Sequence, residues 1–561
     1  MKALKAEPES IGKIFQGYKF IIPEYQRPYS WGAEECDKLW DDISSFFLEK
    51  EGNENYFLGS MVVHPLNQDG RVSADTWCII DGQQRVTTLM ILIKILFEKA
   101  ATMKFLESCL HQVDANSNEV QREKLRLDSH VQPSAGRDDR RDLRCIMGKE
   151  ESFTPKSPFE KNYNHLQEKV SEWFSGKSSD QINKFIETFR DHVVLLPLVC
   201  SEQDDALELF QIINDRGMHL GDADIFKAKM YSAIDSEKEK ESFIKRWGAL
   251  HDHDSLFRAF MHISRADAND FSKEIALRKY VNGKHMGKAQ LKNNWESILR
   301  CLEVCFWVGW DGDICSDAAM QAEASIYWQI LACYPNTYWQ YPLYVLAHKH
   351  TAGKAGNFSL PESAQQEYIA LLKDTVRYFY IRGVVHNSVN AVKDTAYKAC
   401  AAIANGRDCA AVYRDGIDQH DKDAFARKLT EGDLGRCRGG LILINSLPAD
   451  PQDRIAYAEV LLGKYHVEHI LPRKWADYDK WDAESHAEFI DKIGNLIPLE
   501  RKINIAASNE FFRRKQGKYK KSKVRGVLEL SEKKPARWYP EDVKDRHAKS
   551  LERLRGFFGI G

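Results

Sequence analysis

Short apolar runs alternate with amphipathic stretches over the first hundred residues. Apolar runs bounded by polar and turn residues predict strands at residues 18–22, 57–63 and 76–80. Apolar residues spaced three and four apart predict helices at residues 33–48 and 86–100. This alternation predicts an α/β or α+β domain at the start of the chain.

The next segment, residues 112–158, is rich in Asp, Arg, Ser and Gln, which predicts a surface excursion. A buried strand is predicted to follow at residues 192–199, and a helix at residues 204–213. From about residue 222 to residue 430, aromatic residues recur three or four apart, which is typical of the core of a largely α-helical domain.

The last part of the chain has three apolar runs, residues 441–447, 466–471 and 493–499, followed by a basic helical end. The changes in pattern along the chain predict three domains. Their expected bounds are residues 1–225, 226–430 and 431–561.

Composition narrows the class of protein. The 561 residues are 43% hydrophobic and 29% charged, as in globular proteins. The longest apolar runs fall short of the roughly 20 residues that cross a bilayer, and the N-terminus lacks the apolar region of a secretory signal. We therefore expect a cytoplasmic protein with no membrane partner.

The net charge of −2 conceals a basic end. Residues 501–561 contain 18 Lys and Arg against 7 Asp and Glu, an excess of 11 positive charges. A basic segment on an acidic body is typical of a surface that binds a polyanion such as DNA, although a solvated basic face would have the same composition.

The C-terminal region contains a set of residues suited to hydrolysing phosphodiesters. Residues 466–472 read HVEHILP, residues 493–499 read IGNLIPL, and Asn504 and Asn509 follow. A metal-assisted phosphodiesterase needs a hard oxygen ligand, a base for water and a further ligand nearby. Glu468, His469 and Asn504 could supply these, provided that the backbone bends at Pro472 so that adjacent strand residues reach one site.

These motifs resemble the ββα-metal, or HNH, nuclease finger of the C-terminal domain of GmrSD-type modification-dependent restriction enzymes. The resemblance implies that Glu468 is a ligand of magnesium or another divalent cation and that His469 is the general base. It implies that Asn495 braces the loop that orients His469 and that Asn504 is the second metal ligand. Asn509 is the alternative ligand, and His466 either contacts phosphate or caps the strand. Phosphates of DNA would be held, without base readout, by the basic residues Arg513, Arg514, Lys515, Lys518, Lys520 and Lys521.

A second set of polar residues lies near the N-terminus. Residues 79–88, IIDGQQRVTT, run from an apolar strand through a glycine turn into a helix, which places Gln83, Gln84 and Arg85 where free backbone N–H groups attract anions. Residues 22–31, IPEYQRPYSW, add Gln26, Arg27 and aromatic side chains that could bind a nucleotide. An ordinary P-loop is excluded, because the GKS at residues 176–178 lacks the first glycine of that motif.

Both motifs are similar to the N-terminal domain of the same GmrSD-type family, whose fold is related to ParB and sulfiredoxin. Residues 210–220, FQIINDRGMHL, with Asp224 and Lys227, match a third motif of that domain. The resemblance implies hydrolysis of GTP or another nucleoside triphosphate, coupled to sensing of modified DNA such as glucosylated cytosine or phosphorothioate linkages.

The resemblance also implies roles for single residues of the N-terminal site. Arg85 would contact phosphate, Gln83 and Gln84 would orient phosphate or water, and Gln26 and Arg27 would close the pocket. Asp81 would hold magnesium, or else cap the helix with Gly82 in the turn, and Arg85 could instead pair with a carboxylate. Asn214, Arg216 and Gly217 would build or brace this nucleotide pocket.

The sequence thus predicts an α+β multidomain protein with a ParB/sulfiredoxin-like α/β domain, a largely α-helical middle and a C-terminal ββα-metal domain. The predicted function is that of a DNA endonuclease or nickase in anti-phage defence, acting on DNA that carries a modification. The alternative is a non-cleaving, nucleotide-switched DNA-binding regulator of ParB-like type. A pure binder would not need Glu468, His469, Asn495 and Asn504, and the oligomeric state is open.

Overall fold

A computed structural model of the chain describes most of its residues. It leaves out residues 1–3, 51, 69–70, 101–102, 115, 134–135, 215–221, 272–274, 282–287, 312–313, 352–357, 359, 387, 475–479 and 561. The chain forms two compact units: residues 1–254 with 281–296 make the first, and residues 255–280 with 297–561 make the second.

The first unit combines strands and helices. Its strands are β1 Leu4–Ala6, β2 Glu9–Ser10, β3 Lys19–Ile22, β4 Tyr56–Gln68, β5 Arg71–Asp81, β6 His111–Val113, β7 Val120–Leu125, β8 Leu127–Ser129 and β9 Val193–Cys200. The helices up to residue 248 are α1 Ile11–Gly17, α2 Ala33–Glu49, α3 Gln83–Lys99, α4 Lys104–Leu110, α5 Asp139–Ile146, α6 Pro158–Phe174, α7 Ser179–His192, α8 Gln203–Asn214, α9 Asp222–Ala233 and α10 Glu237–Gly248.

A mixed sheet organises this unit. Its strand order is β1-β9-β4-β5-β3-β8, and β2 also pairs with β9. Strand β3 runs parallel to β5 and β8, whereas β4 is antiparallel to β5 and parallel to β9. Helix α3, which follows β5 directly, is buried along most of its length because its apolar residues occur on all sides.

The predicted strands and helices of this region are confirmed, with ends that differ by a few residues. The predicted surface excursion at residues 112–158 is wrong in part. Strand β8 extends the sheet through pairing of Ile21 with Asp128, and Leu127 lies in the hydrophobic core. The strand has only three residues, too few for the two-residue alternation of apolar positions that identifies a strand in a sequence.

The rest of the described chain is largely helical up to residue 462, which confirms the helical region predicted from about residue 222 to residue 430 and extends it by two helices. Its helices are α11 His253–Asp267, α12 Leu277–Val281, α13 Lys288–Phe306, α14 Ala318–Ala332, α15 Gln340–Thr351, α16 Glu362–His386, α17 Lys393–Ala404, α18 Cys409–Asp415, α19 Gln419–Glu431, α20 Arg438–Asn445 and α21 Pro451–Leu462. A π-helical turn spans Trp307–Asp311, and 3-10 turns span Val389–Val392 and Gly435–Cys437. Within the described residues, no helix combines the length and the apolarity needed to cross a membrane.

The second unit ends in a short hairpin of strands followed by helices. Strand β10, Tyr465–His469, pairs antiparallel with β11, Leu496–Glu500, which places Glu468 opposite Ile497. The remaining helices are α22 Ala483–Phe489, α23 Arg501–Ala507, α24 Phe512–Tyr519, α25 Arg525–Glu532 and α26 Pro540–Phe558, with a 3-10 turn at Ile493–Asn495. The described part of the chain is a mixed α+β structure, 63% helical.

Candidate active site

The β10–β11 pair and helix α23 bring the two predicted metal ligands together. Helix α23 begins at Arg501, directly after β11, so Asn504 lies one turn into the helix beside the pair of strands. The Asn504 Nδ2 amide donates a hydrogen bond of 2.8 Å to Glu468 Oε2. The two motifs, 36 residues apart in the sequence, therefore meet at one point.

Glu468 is held at its other oxygen by two further side chains. Lys515 Nζ and Tyr519 OH, both from α24, donate to Glu468 Oε1 at 2.7 Å each. All three side chains are buried: Glu468 is 4% exposed, Lys515 1% and Tyr519 0%. Burial lowers the pKa of Lys515, against the attraction of Glu468, and raises the pKa of Tyr519 well above its ordinary value.

The positions of Glu468 and Asn504 fit a divalent cation. Two oxygen ligands on neighbouring vertices of a magnesium octahedron are about 2.9 Å apart, given metal–oxygen distances of about 2.0–2.1 Å. The heavy atoms of the carboxylate and the carboxamide are 2.8 Å apart. The oxygen and nitrogen of a carboxamide are of similar size and exchange by a half-turn, so Asn504 can present its oxygen at this point.

His469 ends β10, next to Glu468 in the sequence. Its Nε2 lies 3.5 Å from Asp491 Oδ1, and its backbone carbonyl accepts a 2.6 Å hydrogen bond from Lys515 Nζ. Burial lowers the pKa of His469 from its ordinary value of 6.5, while Asp491 and Glu468 act in the opposite direction and Arg473 lowers it further. A lowered pKa keeps the imidazole neutral at pH 7, which is the form that a general base requires.

Asn495 is completely buried and forms four hydrogen bonds with the segments on either side of the site. Its Oδ1 accepts from the Leu471 backbone N–H at 2.7 Å and from Trp538 Nε1 at 3.1 Å. Its Nδ2 donates to the Ile490 carbonyl at 2.8 Å and to the Leu471 carbonyl at 3.3 Å. These bonds fix the backbone two residues after His469.

His466 lies on the strand two residues before Glu468, so the two side chains point to the same face of the strand. Its Nδ1 is 3.3 Å from Asn504 Oδ1. This exposed imidazole therefore borders the predicted metal ligands.

The basic residues after the site divide into two groups. Arg513, Arg514 and Lys518 of α24 are exposed, as are Lys520 and Lys521 in the turn that follows. Lys515 was predicted to bind DNA, but its position does not fit that role. Its ammonium is buried and bonds to Glu468 and to the His469 carbonyl.

Sequence reasoning missed Lys515 and Tyr519 as parts of the site. A signal was present in the spacing: residues 512, 515 and 519 share one face of a helix, and two of them are the aromatic residues Phe512 and Tyr519. Both aromatic residues are fully buried, so Lys515 lies on the buried face.

The N-terminal motifs also meet in the structure. Gly82 caps α3 with a φ of 92°, in the left-handed region that glycine tolerates best. Gln83 Nε2 donates to the Arg27 carbonyl at 3.0 Å, and Gln26 Nε2 donates to the Ile80 carbonyl at 2.9 Å. The Gln84 amide bonds to the backbone of residues 28, 30 and 31. In this structure, the glutamine amides hold the loop that carries Arg27.

Two charged groups of opposite sign flank this helix start. Burial raises the pKa of Asp81, while Arg85 and Arg27 oppose that shift, and burial lowers the pKa of Arg85. Arg85 Nη1 donates to the Ser60 carbonyl at 3.0 Å. A β-carbon at Gly59 would lie 2.9 Å from the same Nη1, so the guanidinium lies directly against a glycine backbone.

A cleft of about 800 Å³ in the first unit is bordered by Gln26 and Arg27. Lys227 of the third motif and Lys245 of α10 also line it. Glu24 and Glu241 line it as well, so the cleft has a small excess of positive charge, which favours an anionic ligand. Arg216 and Gly217 lie outside the described residues, as does the Asn214 side chain.

Another group of potential metal ligands occurs at the start of α19. Asp418, His420 and Asp421 bring ligand atoms within 4.8 Å of one another. However, both Asp421 oxygens are already paired, with Arg382 at 2.8 Å and with His386 at 3.0 Å. Asp418 caps the helix through the Asp421 backbone N–H. Asp418 and Asp421 are therefore explained by a helix cap and an ion pair, without a metal ion.

Comparison with known families matches both candidate sites to domains of the same family. The model for the GmrSD restriction endonuclease N-terminal domain matches residues 11–231, and the model for the GmrSD restriction endonuclease C-terminal domain matches residues 419–552. The two matches span both candidate sites and define the chain as a restriction endonuclease. It belongs to the GmrSD family of type IV restriction endonucleases, which confirms the resemblance in the motifs. A search among curated proteins found no match.

Proposed function

We propose that this chain is a divalent-cation-dependent endonuclease or nickase that cleaves modified DNA in anti-phage defence. The observation that carries the proposal is the contact between Glu468 and Asn504, next to an imidazole that is neutral at pH 7. The match to the GmrSD C-terminal domain, which includes all three residues, supports it independently. In the proposed nuclease, the β10–β11 strands and α23 form an HNH-type finger.

Each residue of the site would have its own role in phosphodiester hydrolysis. Glu468 and Asn504 would hold magnesium or a similar ion, which would stabilise charge on the phosphate and on the leaving oxygen. Asp491 Oδ1, 3.5 Å from His469 Nε2, favours the neutral tautomer that has its proton on Nε2. In that tautomer Nδ1 would be the atom that takes a proton from the attacking water. Asn495 keeps the following backbone in place, and Arg513, Arg514 and Lys518 attract the phosphates of DNA.

The first unit is proposed to bind a nucleoside triphosphate and to couple its binding or hydrolysis to cleavage. Arg27, Arg85 and Lys227 supply positive charge, and Asp81 beside the start of α3 could hold the accompanying magnesium. Gln26 lines the cleft, and Gln83 and Gln84 bond to the backbone of Arg27 and Pro28, which also line it. Match of residues 11–231 to the GmrSD N-terminal domain supports the assignment.

The proposal is tested by nicking of supercoiled plasmid in the presence of magnesium. Substrates would be unmodified, methylated, glucosylated and phosphorothioate DNA, each with and without GTP and the other nucleoside triphosphates. Wild-type protein should nick at least one substrate, and His469→Ala should abolish nicking. His420→Ala is the matched control, because it removes an exposed imidazole of the same unit outside the site.

Two results would contradict the proposal. Nicking that persists unchanged in His469→Ala would exclude His469 as the base. Absence of nicking on every substrate, together with DNA binding that responds to nucleotide and survives loss of Glu468 and His469, would favour the non-cleaving regulator.

A further inference from the structure

The charge of Glu468 is balanced by a neighbouring lysine. Glu468 carries one negative charge, and Lys515, 2.7 Å from Oε1, carries one positive charge. The other partners of this carboxylate, Asn504 and Tyr519, are neutral. The four side chains together thus have no net formal charge. Glu510 also attracts Lys515, but more weakly than Glu468 does.

This balance matters because the number of charged ligands sets the affinity of an oxygen site for a divalent cation. A cation next to Glu468 Oε2 is attracted by the carboxylate and repelled by the Lys515 ammonium. Both groups are buried, so solvent and salt screen neither interaction strongly. The exposed Arg513 and Arg514 on the same helix add further positive charge.

The geometry shows that Lys515 is fixed in this place. Its ammonium bonds to Glu468 Oε1 at 2.7 Å and to the His469 carbonyl at 2.6 Å. Tyr519 occupies the same Oε1 at 2.7 Å, so the carboxylate cannot rotate without breaking two bonds. As a result, one oxygen of Glu468 stays directed at Asn504, and Lys515 also holds the backbone that carries the predicted base.

We propose that Lys515 compensates the charge of Glu468, so that a divalent cation binds weakly to the free protein and tightly once a DNA phosphate supplies negative charge. This inference rests on the proposed nuclease function and adds a form of regulation to it. Lys515 acts as a positioning residue, and metal and DNA bind cooperatively. By thermodynamic linkage, the metal must then strengthen DNA binding by the same factor.

The coupling is measured with Mn²⁺, whose free concentration is read by electron paramagnetic resonance. His469→Ala protein is used so that DNA stays intact, with a short duplex of the kind nicked in the plasmid assay. The same titration with Glu468→Gln in the His469→Ala background subtracts Mn²⁺ bound by the DNA alone. We expect the Mn²⁺ affinity to rise about tenfold or more when duplex is added. Equal affinities with and without duplex would overturn the proposal.

A substitution at Lys515 tests the cause. Lys515→Met, in the His469→Ala background, removes the positive charge, so Mn²⁺ should bind about tenfold more tightly without DNA and the effect of duplex should shrink. Tyr519→Phe is the matched control, because it removes a hydrogen bond to the same oxygen but no charge, and it should not tighten binding. If a folded Lys515→Met protein binds Mn²⁺ no more tightly than its parent, the proposal is wrong, since a purely structural lysine predicts unchanged or weaker binding.

The comparison with and without duplex needs no change at Lys515, so it can overturn the proposal even where Lys515→Met does not fold. The outcomes also separate this inference from the proposed function. A protein that nicks DNA with magnesium but binds Mn²⁺ equally well with and without duplex retains the nuclease function and loses the coupling. A protein that nicks no substrate loses the nuclease function itself.

Discussion

Replacing Asn495 with alanine should destabilise the second unit and impair cleavage together. The side chain forms four hydrogen bonds, to Leu471 twice, to Ile490 and to Trp538, and none of its surface is exposed. At about 1 kcal/mol for each bond, the loss amounts to about 4 kcal/mol. In a domain of this size, about 2 °C in Tm accompanies each kcal/mol, so the transition of the second unit should fall by about 8 °C.

Differential scanning calorimetry measures Tm for the wild type and for Asn495→Ala. Nicking is then measured well below the unfolding transitions of both proteins. Because Asn495 fixes the backbone beside His469, nicking by the folded variant should fall about 100-fold, as expected for a displacement of the base by about 1 Å. Asn405→Ala is the control: its side chain forms two hydrogen bonds, to Ala266 and Ala401, in the same unit. It should lower Tm by about half as much and leave nicking unchanged. If Asn495→Ala lowers Tm by less than about 2 °C, the four hydrogen bonds do not stabilise the unit as expected.

Three further predictions concern pH, nucleotide and DNA. Asp491→Asn removes an interaction that raises the pKa of His469. Activity is lost at low pH as the imidazole becomes protonated, so this acidic limb of the pH–rate profile should move to lower pH in the variant. An unchanged acidic limb would show that Asp491 does not influence His469. Gly59→Ala should displace the Arg85 guanidinium and weaken nucleotide binding in calorimetry by about tenfold, while an unchanged affinity would remove Arg85 from the site. Arg513→Gln should reduce the slope of log K for DNA binding against log salt by about one, and an unchanged slope would mean that Arg513 makes no phosphate contact.

The motifs predicted much of the candidate site because its residues follow strong local patterns. The apolar run before Glu468 forms β10, the run after Asn495 forms β11, and these strands pair, as expected for neighbouring segments that bury apolar residues. Asn504 falls one turn into the helix that follows, so its nine-residue interval from Asn495 corresponds to one strand and one helical turn.

Other features depend on tertiary contacts that a single sequence does not reveal. Lys515 lies within a run of basic residues, and its charge suggested an exposed side chain, whereas its buried position is determined by pairing with Glu468. Gln83 and Gln84 stand at a helix start, where an anion site was predicted, but their amides bond to the backbone of a loop more than 50 residues earlier. Local spacing cannot indicate which distant backbone groups need such partners.

The central claim is that Glu468 and Asn504 hold a divalent cation next to His469. Anomalous scattering from a crystal grown with Mn²⁺ tests it most directly. The account predicts a peak roughly 2–2.5 Å from both Glu468 Oε2 and the Asn504 carboxamide oxygen. A map with no peak there, or with a peak only at Asp418, His420 and Asp421, would contradict it.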